Sequence, residues 1–330
     1  MLLLDAPLFA QQNEVTPQVT SAVGRGLAFL AAQQHPDGSL DDAGRPRVAV
    51  TGLGLMAMLA TGNVPDEGKY GPAARAALDW LVRIQPSDGY YGQVDGSRMY
   101  GHGIVTLALA EAIGVETDPV RRRREMAALR RAVDVIFKAQ DVPKDAPYAG
   151  GWRYEPQNED SDLSLSGWNA MALRAAQGVG VDVPAQRVQR AIGFVLRCYS
   201  AKQGGFGYQP GREASIAMSG VGALNLFLLG GADHPEAATA AKFLADHPVD
   251  DSTPHPFYSM YYATQAAYQA GKPVWPVVWP EVRSRLLAMQ NADGSWPPSA
   301  NGEEDDAEYS TSMALATLGV PYRMLAVYQR

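Results

Sequence analysis

The 330-residue sequence holds a single cysteine, Cys198. That excludes an internal disulfide and any cysteine-rich metal site, and leaves Cys198 the ordinary role of a small buried hydrophobe at a helix end. Positive charge is scarce too. Lys and Arg number 28 against 35 Asp and Glu, a net charge of -7 with a pI near 5.3, which argues against a nucleic-acid-binding surface. The one basic run, Arg121 to Arg124, opens a predicted outer helix and reads as a solvated face. No apolar run approaches the roughly 20 residues a bilayer span needs. No stretch reads convincingly as strand. MLLLDAPLFA at positions 1–10 looks like the end of a signal peptide cut after Ala10, but it lacks a basic region and Asp5 interrupts it. Cytoplasmic and exported locations therefore both stay open.

What is present is repetition. Gly150 to Leu173 holds a paired-glycine turn with an aromatic residue, an acidic loop, and then a helix from Asp162. That helix is small and apolar on nearly every side (Leu163, Leu165, Gly167, Trp168, Ala170, Met171), so other helices must enclose it. The same unit of outer helix, turn and buried helix recurs. Outer helices are expected over 19–34, 72–85, 120–140, 184–199, 236–246 and 280–290. Buried helices are expected over 48–61, 100–113, 162–173, 214–229, 257–270 and 308–318. The turns lie at 35–40, 87–92, 150–152, 203–208 and 291–296, and the fifth unit lacks one. Pro, Asp and Gly serve such turns through fixed φ, side-chain bonds to the backbone and access to positive φ. Six helix pairs at a period of roughly 45 to 60 residues predict a closed ring, an all-α (α/α)6 toroid of six inner and six outer helices. It is expected as one domain over 16–330, behind a tail at 1–15.

The turns at Gln34 to Leu40, Gln85 to Tyr91, Gly150 to Trp152, Gly204 to Phe206 and Gln290 to Trp296 resemble the QW-type repeats of squalene-hopene cyclases. They also look like the repeats of protein prenyltransferase β subunits, which share the toroid. The resemblance covers essentially 16–330 and speaks to fold far more than to chemistry. It implies a central cavity for an apolar or isoprenoid-like ligand.

Inner-helix N-termini should converge on one mouth of the ring, where free N–H groups favour an anion. Candidates at that mouth are Tyr100, His102, Glu159, Asp160, Asp162, Tyr258, Glu308 and Tyr309. Class II cyclases protonate an alkene with the middle acid of an Asp-x-Asp-Asp motif. Glu159-Asp160-Ser161-Asp162 resembles it, but Ser161 takes the donor's place, so only a displaced acid, Asp160 or Asp162, would serve. Asp162 reads equally as a helix N-cap. The zinc ligands of prenyltransferases are not matched: His255, Phe257 and Ser310 stand in their places, so no metal or other cofactor is expected. Gly101-His102-Gly103 and Tyr258 resemble residues that contact the isoprenoid diphosphate there. Trp152, Trp168, Tyr208 and Tyr262 join the ligand-binding candidates, although aromatics of the turns pack repeat seams by default. Asp162 and Glu308, the latter closing the acidic run 303–308, also admit a sugar-cleaving carboxylate pair. A non-catalytic scaffold with protein partners at its rim is the remaining reading.

Overall fold

The helices begin where their capping chemistry says they should. Thr16, Asp118, Asp162, Ser215 and Asp306 each accept a hydrogen bond from a first-turn N–H of the helix they introduce. Proline occupies the first turn of several others, where its missing N–H costs nothing. The computed structural model describes residues 14–42, 45–298 and 306–329; the possible signal remnant and residues 303–305 lie outside them.

The outer helices are α1 (Pro17–Gln33), α3 (Gly71–Ile84), α6 (Pro119–Asp141), α8 (Ala185–Arg197), α10 (Pro235–Asp246) and α12 (Trp275–Met289). Between them run the inner helices α2 (Val48–Ala60), α5 (Arg98–Val115), α7 (Leu163–Gly178), α9 (Ile216–Leu228), α11 (Pro256–Ala270) and α13 (Ala307–Leu318). Each inner helix packs on the next in chain order, and α13 returns to pack on α2. The ring is closed. Sequence spacing missed a short helix α4 (Gly92–Asp95), two 3-10 turns (Val320–Tyr322 and Ala326–Tyr328), and two-residue hairpins pairing Asp41–Asp42 with Arg45–Pro46 and Tyr199–Ser200 with Gly205–Phe206. Pro280 lies inside α12 rather than at its start, because Pro276 holds the first turn.

Closure is stitched by one amide per turn. The Nε2 groups of Gln34, Gln85, Gln140 and Gln290 each donate to the carbonyl of their turn glycine. Each also donates to a carbonyl of the next outer helix: Ala73, Ala128, Arg187 and, across the closure, Ala22, at 2.9–3.0 Å. Arg131, Arg190 and Arg25 of that next helix fill the Oε1 atoms of Gln85, Gln140 and Gln290. Gly150 has φ 92°, and a Cβ there would stand 2.3 Å from the Arg190 carbonyl, so the turn presses directly on its neighbour's backbone.

A second stitch ties each turn to its own inner helix. The N–H groups of Leu40, Tyr91, Trp152, Phe206 and Trp296 donate to the side chains of Thr51, His102, Ser166, Ser219 and Thr311. These buried polar groups fix each of the five turns to its own inner helix; the fifth repeat, without a turn, has no such stitch among the described residues.

Candidate functional site

At the N-terminal mouth the chain folds back so that Trp152 bridges Asp162 as a two-residue antiparallel contact, which brings Arg153 over the start of α7. Asp162 is fully buried. Its Oδ1 accepts from the Leu165 N–H at 2.9 Å and the Ser164 hydroxyl at 3.0 Å; its Oδ2 accepts from Arg153 at 2.7 Å. Burial raises its carboxyl above the usual carboxylate range, against the Leu165 N–H and Arg153, which hold it down. Arg153 also pairs with Asp160 at 3.1 Å, donates to the Tyr208 hydroxyl at 2.8 Å, and lies 4.8 Å from the Tyr154 ring.

Around this pair the phenols gather. Tyr100 hydrogen-bonds Ser164, and its ring meets Tyr154 edge-on. Tyr258 belongs to α11, which stands opposite α5 in the ring, yet burial first and then Tyr258 and Asp162 raise the Tyr100 hydroxyl well above the usual phenol range. Tyr258 is raised in the same way, by burial and then by Tyr309 and Asp162. Residues from four inner helices thus converge on the ring axis. One layer deeper, Trp168 stacks on Tyr261 at 5.9 Å and meets Tyr262 edge-on at 5.6 Å, although α7 and α11 are not neighbours. Tyr262 is 0% exposed and Trp168 2%. Tyr100, Tyr154, Tyr208 and Tyr309 keep partial exposure. The mouth is open and the axis below it is packed with rings.

The structure therefore brings Asp160, Asp162, Tyr100, Tyr208, Tyr258 and Tyr309 together, over Tyr262 and Trp168. His102 does not join them. Its Nε2 donates to the Ala132 carbonyl of outer helix α6 at 3.0 Å, and its Nδ1 accepts from the Tyr91 N–H. Burial lowers its pKa to about 4, so it stays neutral, and it occupies the place Thr51, Ser166, Ser219 and Thr311 hold in other repeats. Trp152 likewise faces outward, its Nε1 donating to the Ile136 carbonyl at 2.8 Å. Glu308 is half-buried in the first turn of α13. Asp160 is also half-buried, paired with Arg153 and near the Gln209 amide.

The anion expected at the mouth turns out to be the protein's own. Asp162 occupies the start of α7, Asp306 that of α13, and Asp95 accepts from the Val48 N–H at the start of α2. Arg153 is matched by two carboxylates, Asp160 and Asp162, and Arg98 and Arg47 pair with Glu155 and Asp95. A diphosphate would have to displace these carboxylates, so the mouth suits neutral groups. The phenols of Tyr100, Tyr208 and Tyr258, raised first by burial, stay neutral hydrogen-bonding groups. Among the described residues no three metal-ligating side chains cluster, and no helix is long and apolar enough to cross a membrane.

The opposite mouth, at the inner-helix C-termini, was missed from sequence. The segment after α13 crosses it. Glu111 of α5, 6% exposed, accepts from the N–H groups of Ala326 and Val327 at 2.6 and 3.0 Å. The Tyr328 hydroxyl meets that of Tyr261 at 2.5 Å and points at the Met171 sulfur, while Gln269 donates to the Tyr328 carbonyl. The signal was in the sequence: Glu111 is the one acid in the otherwise apolar run Ile104–Ile113.

No family model matches the chain, and no curated protein matches it in sequence. Solved structures do. A protein from Actinoplanes is 20% identical, covering 92% of this chain and 99% of its own, with a TM-score of 0.62. A variant of the type II terpene cyclase MstE from Scytonema, in complex with its substrate geranylgeranyl dihydroxybenzoate, is 17% identical over 96% of this chain and 100% of its own, TM-score 0.62. A glycosidase in complex with glucose is 13% identical over 98% and 100%, TM-score 0.63. At these identities the likeness is one of fold: the chain is an (α/α)6 toroid of the shape that terpene cyclases and glycosidases share.

Proposed function

We propose that the protein binds an uncharged, apolar or isoprenoid-like small molecule at the N-terminal mouth of the ring, without using Asp160 or Asp162 as an acid. The observation that carries this reading is the set of partly exposed phenols Tyr100, Tyr208 and Tyr309, with Tyr258 buried behind them, above the Trp168–Tyr262 floor. Phenol faces and edges accommodate a hydrocarbon chain, and their hydroxyls grip one polar end group. The terpene cyclase with an isoprenoid conjugate in the same fold lends support by analogy.

An acid able to protonate an alkene must present its proton to the substrate. Asp162 instead spends both oxygens on its helix start, Ser164 and Arg153. Asp160 sits beside the same guanidinium. Catalysis is therefore left out of the proposal. The scaffold reading has its own supporting observation, the axis packed with rings rather than hollow.

The test is native mass spectrometry with geranylgeraniol, squalene and geranylgeranyl diphosphate, on the wild type, Asp162→Asn and Tyr258→Ala. Retention of the alcohol or squalene, a weaker hold on the diphosphate, and a tenfold or greater loss in Tyr258→Ala are expected, with Asp162→Asn still binding. A cyclised product that disappears in Asp162→Asn would overturn the non-catalytic part. A protein that retains none of the three would hand the mouth to the scaffold reading.

A further inference from the structure

The ring closes without the segment beyond α13. Its last inner helix has already packed on α2, and Gln290 has already reached Ala22, before residue 319 is reached. Residues 320–329 contribute two 3-10 turns of three residues each and no regular ladder of their own. They hold to the C-terminal mouth by burying Val320, Leu325, Val327 and Tyr328 and by a handful of polar grips: Glu111 on two backbone N–H groups, Gln269 on the Tyr328 carbonyl, and Tyr328 on Tyr261 and Met171. A fourth grip is Arg323, which lies over the Tyr268 ring and pairs with Glu14. Among the described residues the Glu111 carboxylate meets no Lys or Arg, so this grip is set against an uncompensated burial of a charged group. Beneath the segment lies a hollow of about 10 Å³, room for one water, bordered by Ala60, Gln265, Ala316 and Tyr328.

We propose that Val320–Gln329 is a displaceable plug, and that the slot filled by Tyr328 is a second binding site, one that takes a phenolic ring. The slot is chemically specific. Tyr261 supplies a hydroxyl partner at its inner end, Met171 a sulfur that suits an aromatic edge, and Tyr261 in turn stacks on Trp168, so the slot continues the aromatic column of the axis. The side chain that fills it is the best available description of what it would accept. A segment that lies outside the ring of helix pairs and has no ladder of its own can open at lower cost than the inner helices, without global unfolding. A free phenol then competes with Tyr328, and its apparent affinity is reduced by the fraction of time the plug is seated. This proposal stands apart from the isoprenoid reading of the opposite mouth and survives its failure.

Hydrogen exchange of the full chain, without ligand, is the first measurement. The amides of Ala326 and Val327 should exchange at least tenfold faster than those of Leu107 to Ala112 in α5. They should speed up further in Tyr328→Phe, which loses only the hydroxyl contact, while the α5 amides stay unchanged. Calorimetry with p-cresol is the second: Tyr328→Ala should bind it, and the wild type at least tenfold more weakly. Plug amides that exchange only at the rate of the inner helices, or variants that accelerate every amide together, would overturn the proposal by making the segment part of the core. A p-cresol affinity indistinguishable between Tyr328→Ala and wild type would overturn the slot.

Discussion

The two mouths of the ring each bury a carboxyl whose pKa burial raises, and among the described residues only one of the two has a cation to oppose the rise. Asp162 at the N-terminal mouth sits at a helix start with Arg153 against it. Glu111 at the other mouth sits near the end of its helix, α5, with two N–H groups and no cation among the described residues. Helix N-termini favour negative charge and C-termini oppose it. The N–H groups and Arg153 around Asp162 therefore oppose the rise that burial causes there, while Glu111, with no such cation, is pushed up to about 7. The N-terminal mouth is a permanent polar surface around an ion pair. The C-terminal mouth is held by a group whose charge changes near neutral pH.

The sharpest way to break this contrast is Arg153→Met. Removing one partner of a buried pair leaves an uncompensated charge, so unfolding by urea at pH 7 should show a loss of about 3–5 kcal/mol. The deficit should shrink in acid, where Asp162 takes up a proton. A loss below about 1 kcal/mol would mean Asp162 is already neutral, and the two mouths would then be alike. Next in size is the pH dependence carried by Glu111. Its pKa rises from 4.5 in the unfolded chain to about 7 in the fold, so between those values the native state holds a proton that the unfolded state has released. Stability is then fully present below about 4.5 and falls as pH rises towards about 7, by roughly 3 kcal/mol in all. His102, lowered to about 4, has the opposite sign: its contribution is lost as pH falls from 6.5 to about 4. Comparing wild type with Glu111→Gln isolates the first effect, because His102 is common to both. The difference between the two stability curves should change by about 3 kcal/mol from about pH 4 to about pH 8. Parallel curves would sink the assignment.

The ring itself was legible because its determinants are local. A glycine two positions before a large apolar residue (Leu40, Tyr91, Trp152, Phe206, Trp296) marks each of the five turns, and Asp162 declares a helix start by residue type alone. The site was legible only in part. Asp162 and Tyr258 could be placed at the mouth by their position on inner helices, but whether anions were wanted there depended on Asp95, which reaches a helix start 47 residues away in the chain. His102 was misleading because glycines flank it on both sides. Set beside Thr51, Ser166, Ser219 and Thr311, all inner-helix side chains accepting from a turn N–H, it reads as a stitch. The packed axis was illegible, since it depends on which rotamers let Trp168, Tyr261 and Tyr262 cross a ring that periodicity describes only as apolar. The plug was illegible for a simpler reason: Val320 to Tyr328 has neither helical nor strand period.

The smallest expected effect sharpens the comparison from the other side. Glu14 also touches the C-terminal mouth, pairing with Arg323 at 3.4 Å while accepting from the Trp275 Nε1 at 2.7 Å. Both members of that ion pair keep some exposure, 26% for Arg323 and 16% for Glu14, so water already shares in solvating them. Glu14→Gln keeps an oxygen for Trp275 and removes only the charge, which should cost about 0.5 kcal/mol or less in paired urea melts. The contrast with Arg153→Met is one of carboxylate burial, 0% for Asp162 against 16% for Glu14, since both are Arg–carboxylate contacts and Arg153 at 21% is about as exposed as Arg323. If Glu14→Gln instead cost as much as Arg153→Met, Arg323 would be a fixed brace. The segment after α13 would then be clamped to the wall as firmly as the N-terminal mouth is to its ion pair.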